Sequence, residues 1–447
     1  MGKRITTSVG AVVLTAMTAL TPAAASAEEA SPDRTALVLC GTTCPTPDQT
    51  YLNIVRDQYV APTHPGLNID YVPVTTPEQF WPLTGGMRLL GLAVGDPRLF
   101  KPGGPAWPSE PWWKLTGLFD LTASQSLQLG AAQLEEAIAA HGGNKLVIYG
   151  LSQGAGVANV VKKNLAAHYP DGTTAPDIDF VLGGDPNLPN GGLMSRFPGL
   201  YVPVLDLSFN GAAATDTQFK TVEITRQYDG FTDFPLYPLN LVADLNAIMG
   251  VVYLHTNSFD VSLPNDPTTS PAYQGTYGDT SYYYFKTQHL PLFAPLLALG
   301  VPEKLIDVVE PFFRVLVEAG YDRSIKPWVP TPARLLPSSF DPGKLIADLT
   351  GALSEGIRNA RALIGWPTRS GVGGPGPTPP AAVPSTASHT ASSAKSSAGA
   401  VTASWRPTPN AAQNQAISPS RGSDHGSHGT SARHSANAPA ARATATR

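Results

Sequence analysis

The stretch KLVIYGLSQGAGVANVV, residues 145–161, sets a serine between two glycines, after an apolar run and before a helix-like pattern. Lys145 to Tyr149 has the length and β-branched content of a buried strand. From Gln153 onward Val157, Val160, Val161 and Leu165 recur at helical spacing, with Lys162 and Lys163 on another face. A chain that turns from strand to helix in so few residues holds its apical residue in a strained conformation, and the flanking glycines allow close approach of neighbouring backbone. The apical residue is Ser152, and the chemistry that such an elbow serves is nucleophilic attack by a hydroxyl.

A serine hydroxyl needs a base to take its proton and a third group to orient that base. Where the order along the chain is serine, acid, histidine, the base follows Ser152. That rule sets aside His64 and His141. His168 ends the helix that Ser152 begins, roughly 20 Å away at about 1.5 Å per residue, and is set aside as well. Two histidines remain in the region with a core-forming pattern. His255 closes an apolar helix-like stretch, where a structural histidine is the ordinary expectation. His289 follows the β-rich run SYYYFKTQ, in a loop just beyond a late strand, and is the preferred base. For the acid, Asp185 in VLGGDPN is accounted for by turn chemistry. Asp229, just after a strand over 221–226, is the first choice, and Asp233 is the second. The oxyanion donors are expected from the backbone N–H of Gln153 and from Thr42 in the loop CGTTC, where Gly41 permits close approach.

The elements that must position these residues alternate. Strands are expected over 35–40, 68–74, 145–149, 178–182, 202–209 and 221–226, with helices over 51–59, 124–140 and onward from Gln153. This alternation predicts a mostly parallel central sheet covered by helices on both faces, with the ligand site at the carboxyl ends of the strands, where Ser152 falls. Trp107, Trp112 and Trp113 lie in a Pro-rich loop that either lines a mouth or packs on the core.

The chain has 447 residues, and both of its ends read as something other than fold. Gly2-Lys3-Arg4, an apolar run over 9–20 and the small-residue site Ala25-Ser26-Ala27 read as a secretory signal over 1–27, with the mature protein starting at Glu28. Residues 370–447 are rich in Ser, Ala, Thr and Pro, poor in large aliphatics and mildly basic, which reads as a disordered, solvated tail. Its His425, His428 and His434 are too loosely set to be read as a metal site. A single core over 30–365 is the expectation. The formal net charge of −4 is too small to indicate a nucleic-acid partner, and neither a metal nor a cofactor is expected. The two cysteines, Cys40 and Cys44, would meet an oxidising compartment after export, which favours a disulfide that braces the Thr42 loop, although a bridge across three residues is geometrically demanding.

Taken together, the Gly41-Thr42 loop, YGLSQGA, GGDPNLPNGG, YDGFTDFPLYPLNLVADLNAIMG and TQHLPL resemble the PE-PPE domain, a serine hydrolase module of mycobacteria and their relatives, over roughly 35–300. The family is related to cutinases. The resemblance implies an α/β-hydrolase fold and a Ser-Asp-His triad falling on Ser152, Asp229 and His289. It further implies ester chemistry on acyl chains in or near a lipid-rich envelope. Two features depart from the pattern. A signal-like segment stands where a PE or PPE domain would precede the hydrolase, as in the cutinase-like proteins that move acyl chains between trehalose glycolipids. Cysteines also flank Gly-Thr-Thr. The expected function is a secreted serine esterase or lipase. Its competitors are an acyltransferase on the same triad and a non-catalytic envelope-binding protein whose tail touches envelope lipid or polymer.

Overall fold

The computed structural model describes residues 31–86, 89, 117 and 119–365. The signal-like segment, the three tryptophans of the Pro-rich loop and the 370–447 tail lie outside the described residues. Seven strands form the central sheet: β1 (Arg34–Val38), β2 (Ile69–Pro73), β3 (Leu146–Leu151), β4 (Ile178–Gly183), β7 (Thr221–Arg226), β8 (Tyr273–Tyr277) and β9 (Thr280–Phe285). Their order is β2-β1-β3-β4-β7-β9-β8, and every pairing is parallel except that of β8 with β9. This is the expected α/β fold, with one antiparallel edge hairpin added.

The strands are buried on both faces, so each sends alternate residues into two cores. Leu37, Leu39, Leu146 and Ile148 meet Leu134, Val157 and Val161 of the helices Ala123–Ala140 and Gln153–His168. Ala36, Val38, Val147 and Tyr149 meet Leu52, Val55 and Tyr59 on the opposite face. These last residues come from helix Gln49–Val55 and the wider turn Arg56–Val60 that continues it. Helix Ala123–Ala140 starts at Thr122, whose side chain accepts from Gln125 N–H while the Gln125 side chain accepts from Thr122 N–H. This reciprocal cap ends the loop before the helix.

From β1 the chain first adds β2 on one side, then returns to add β3 on the other. The loops leaving β1 and β3 therefore diverge and leave a crevice between them. Thr42 lies in the first loop and Ser152 in the second. The strand expected over 202–209 is interrupted. Tyr201–Val202 (β5) and Leu207–Ser208 (β6) form a small antiparallel pair apart from the main sheet, joined by the turn Pro203–Leu205. Pro203 cannot donate to a ladder, and Asp206 takes a left-handed conformation with φ 42°, so the run folds back on itself. Beyond β9 the chain adds helices Glu303–Glu318 and Pro342–Leu363, which pack on each other. Among the described residues no helix is long and apolar enough to cross a membrane.

Candidate active site

Ser152 has φ 58° and ψ −118°, a conformation that a side-chain-bearing residue holds only when its surroundings impose it. Those surroundings are β3 before it and helix Gln153–His168 directly after it. The loop from β1 presses against the turn so closely that a Cβ on Gly41 would lie 2.8 Å from Ser152 Cβ. Only glycine fits there. The Cys40–Cys44 disulfide closes the same loop.

The histidine beside Ser152 is His255. Its Nε2 is 2.7 Å from Ser152 Oγ, and its Nδ1 is 2.8 Å from Asp229 Oδ2. Asp229 is buried, and its other oxygen accepts from Phe231 N–H at 2.9 Å. The imidazole lies against the Phe231 ring, with centroids 4.7 Å apart, and over Gly184, where a Cβ would come within 2.9 Å of His255 Cε1. Helix Leu241–Tyr253 delivers the histidine, and Arg226 Nη1 holds the turn that follows by donating to Leu254 O and Asn257 O. Ser152, His255 and Asp229 thus form one continuous chain of hydrogen bonds. Its pattern is that of a nucleophile, a base and a group that sets the base's tautomer.

His289, the base preferred from the sequence, is not at this site. It is buried elsewhere, with Nδ1 2.7 Å from Glu310 Oε2, while Glu310 also accepts from Leu290 N–H and Arg314. The loop after β9 runs toward helix Glu303–Glu318, away from the crevice, so the residue after the late strand meets a carboxylate of that helix. Both histidines obey the serine-acid-histidine order, and order alone does not choose between them. The usable signal was the short path from Asp229 through one helix to His255. Asp233 also faces elsewhere. Its Oδ2 accepts from Tyr228 N–H at 2.8 Å and Tyr284 O–H at 2.9 Å, and Arg323 Nη1 donates to its Oδ1 at 2.7 Å.

Thr42 and Gln153 meet across the crevice. Thr42 Oγ1 donates to Gln153 Oε1 at 3.0 Å, and Gln153 Nε2 donates to Gln79 O and Ser126 Oγ. The threonine hydroxyl proton is therefore committed to the glutamine side chain. Gln153 occupies the first turn of its helix, where backbone N–H groups lack partners within the helix. Around Ser152 lies a pocket lined by the apolar side chains of Phe80, Leu127, Met194, Leu207 and Phe231 and by the polar side chains of Ser208, Asn187 and Asn210. A larger groove between the two C-terminal helices includes His289 and Glu310 but none of Ser152, His255 and Asp229.

The family model of the PE-PPE domain matches residues 65–322. The chain belongs to the PE-PPE domain family. The match takes in Ser152, Asp229 and His255, while Thr42 and β1 precede it. Three relatives from Mycobacterium tuberculosis illustrate the family's range. Esterase PE16 is 39% identical over 332 residues, covering 72% of this chain and 55% of that protein. PE family protein PE3 is 36% identical over 298 residues, 64% of this chain and 62% of its own length. Diacyltrehalose acyltransferase Chp2 is 30% identical over 285 residues, 60% of this chain and 76% of its own. The chain thus spans between half and two thirds of the length of the first two. No solved structure matches it.

Proposed function

We propose that this PE-PPE chain is an ester-acting serine enzyme on lipid acyl groups, with Ser152 as nucleophile, His255 as general base and Asp229 as the acid that orients it. The observation that carries the reading is the unbroken relay Ser152 Oγ–His255 Nε2 and His255 Nδ1–Asp229 Oδ2, at 2.7 and 2.8 Å. In this reading Ser152 Oγ attacks the ester carbonyl as its proton passes to His255 Nε2. The carbonyl oxygen becomes an oxyanion facing the main-chain N–H groups of Gln153 and Thr42. Collapse expels the alcohol, which takes the proton from His255 and leaves the acyl group on Ser152. A second hydroxyl, from water or from a sugar, gives its proton to His255 and resolves the acyl-enzyme.

The mainly apolar lining of the pocket favours an acyl chain over a small polar ester. Relatives named as an esterase and as a diacyltrehalose acyltransferase support both acceptors, and hydrolysis is the primary reading. The signal-like residues 1–27 add export to the proposal, with the work done at or outside the cell envelope.

The test is Ser152→Ala. The variant should lose turnover of a chromogenic ester and covalent labelling by a serine-directed phosphonate, with its melting temperature unchanged. Labelling that persists in the variant would remove Ser152 as nucleophile. Product analysis of an acyl ester in the presence of a trehalose glycolipid separates release of free acid from transfer.

A further inference from the structure

Behind the pocket wall lies a buried polar cluster in which the proposed mechanism has no part. Asp185 follows β4, and Glu223 lies in the middle of β7, the next strand. Both are buried, and no donor among the described residues reaches Glu223 Oε2 or Asp185 Oδ2. A hydrogen bond between the two carboxyl groups supplies the missing donor only if one of them is the neutral acid, since two carboxylates share no proton. Burial raises both groups, and Glu223, with the Asp185 charge beside it, is pushed well above the ordinary carboxylate range.

The charged and titratable groups around the pair come from two parts of the fold. Lys162 and Lys163 belong to the helix that Ser152 begins, and Asp279 and Tyr282 belong to the β8–β9 hairpin region. Lys162 Nζ is already held by Asp279 Oδ1 at 3.0 Å and by Thr221 Oγ1 at 2.7 Å. The charge of Lys162 is thus matched by Asp279.

Asp185 has a positional task. Its Oδ1 accepts from Asn187 N–H at 2.9 Å. Asn187 in turn donates from Nδ2 to Asn210 Oδ1 and Gly211 O, both at 2.6 Å. Pro186, Asn187 and Asn210 form part of the pocket wall beside Ser152, and the residue before Asp185 is the Gly184 on which His255 lies. A donor at Glu223 therefore reaches the wall through a single residue, Asp185.

We propose that Glu223, as the hydrogen-bond donor to Asp185, is a positioning residue that fixes the Asp185-Pro186-Asn187 wall of the Ser152 pocket. The effect on turnover rests on the serine-enzyme reading above, whereas the effect on the wall does not. When Glu223 ionises at high pH the two carboxylates repel each other, the donor is lost, and the wall loosens. A glutamine at 223 donates at every pH.

The experiment compares wild type, Glu223→Gln and Glu223→Ala by three measurements. These are ester turnover from neutral to alkaline pH, hydrogen–deuterium exchange over residues 184–192 at neutral pH, and the infrared carboxylic-acid C=O band. Glu223→Ala should lower kcat/KM ten- to a hundredfold, the scale of a misplaced pocket, and should speed exchange over 184–192. Glu223→Gln should restore both at neutral pH, extend activity to higher pH than wild type, and lose part of the acid band. A Glu223→Ala protein with wild-type exchange over 184–192, or an undiminished acid band in Glu223→Gln, overturns the proposal. If Glu223→Ala does not fold, Glu223→Leu, which fills the space but cannot donate, takes its place in the exchange measurement with the same expectation. A wild type inactive on every ester, but with the exchange and infrared changes as expected, would defeat the serine-enzyme reading and leave the positioning of the wall supported.

Discussion

Replacing Asp229 by asparagine tests the relay at its least replaceable point. Asp229 Oδ1 is held by Phe231 N–H at 2.9 Å and Oδ2 by His255 Nδ1 at 2.8 Å. An asparagine has one oxygen, and Phe231 N–H can use nothing else. The amide NH₂ then faces His255, which must present a bare Nδ1 to it and carry its proton on Nε2. That proton points at Ser152 Oγ, so the base has nowhere to accept the serine proton. The loss of this tautomer costs up to ~10⁴ in turnover in serine proteases, about 5.5 kcal/mol of barrier at about 1.36 kcal/mol per tenfold. We expect Asp229→Asn to lose three to four powers of ten in kcat, of order 10³–10⁴, on a soluble ester at neutral pH, with KM little changed and the protein folded by circular dichroism. Asp233→Asn is the matched control. It keeps an oxygen for Tyr228 N–H and Tyr284 O–H and weakens only the pairing with Arg323, so it should lose of order 1–2 kcal/mol of stability and less than about tenfold in kcat. A kcat for Asp229→Asn within tenfold of wild type would refute the tautomer argument and the role given to Asp229.

Two further outcomes follow from other buried groups. His255→Ala should reduce kcat as far as Ser152→Ala does, because the members of a relay act as a unit, whereas His289→Ala should keep turnover while lowering the melting temperature, since Glu310 loses a buried partner. Equal kinetic damage from both histidines would count against the assignment. Burial pushes Glu78 up to about 8 from its ordinary 4.5. The folded chain keeps this proton where the unfolded chain has lost it, so its stability contribution is fully present below pH 4.5, declines as pH rises toward 8 and levels off above that. The shift corresponds to a decline on the order of 4–5 kcal/mol. Urea unfolding at intervals across this range should show the decline in wild type and a flatter profile in Glu78→Gln. Parallel profiles would place Glu78 outside the pH response.

The elbow serine was legible in the sequence because everything that defines it is local: an apolar strand, a glycine-flanked serine and a helix within seventeen residues, 145–161. The sheet was legible for a related reason, since strands buried on both faces must be continuous apolar runs and their alternation with helices leaves few topologies. The 202–209 run misled because its alternation was right while Pro203 and the left-handed Asp206 decided otherwise. The sequence also brought Asp229 and Asp233 within one short segment and left His255 and His289 in an order that both satisfy. Only the folded chain separates them. Helix Leu241–Tyr253 turns back across the carboxyl ends of the strands and sets His255 on Gly184, while the loop after β9 leaves toward Glu310. A hydrogen bond of 2.7 Å between residues 103 apart depends on where two long segments dock, and hydrophobic period and turn chemistry carry no record of that distance.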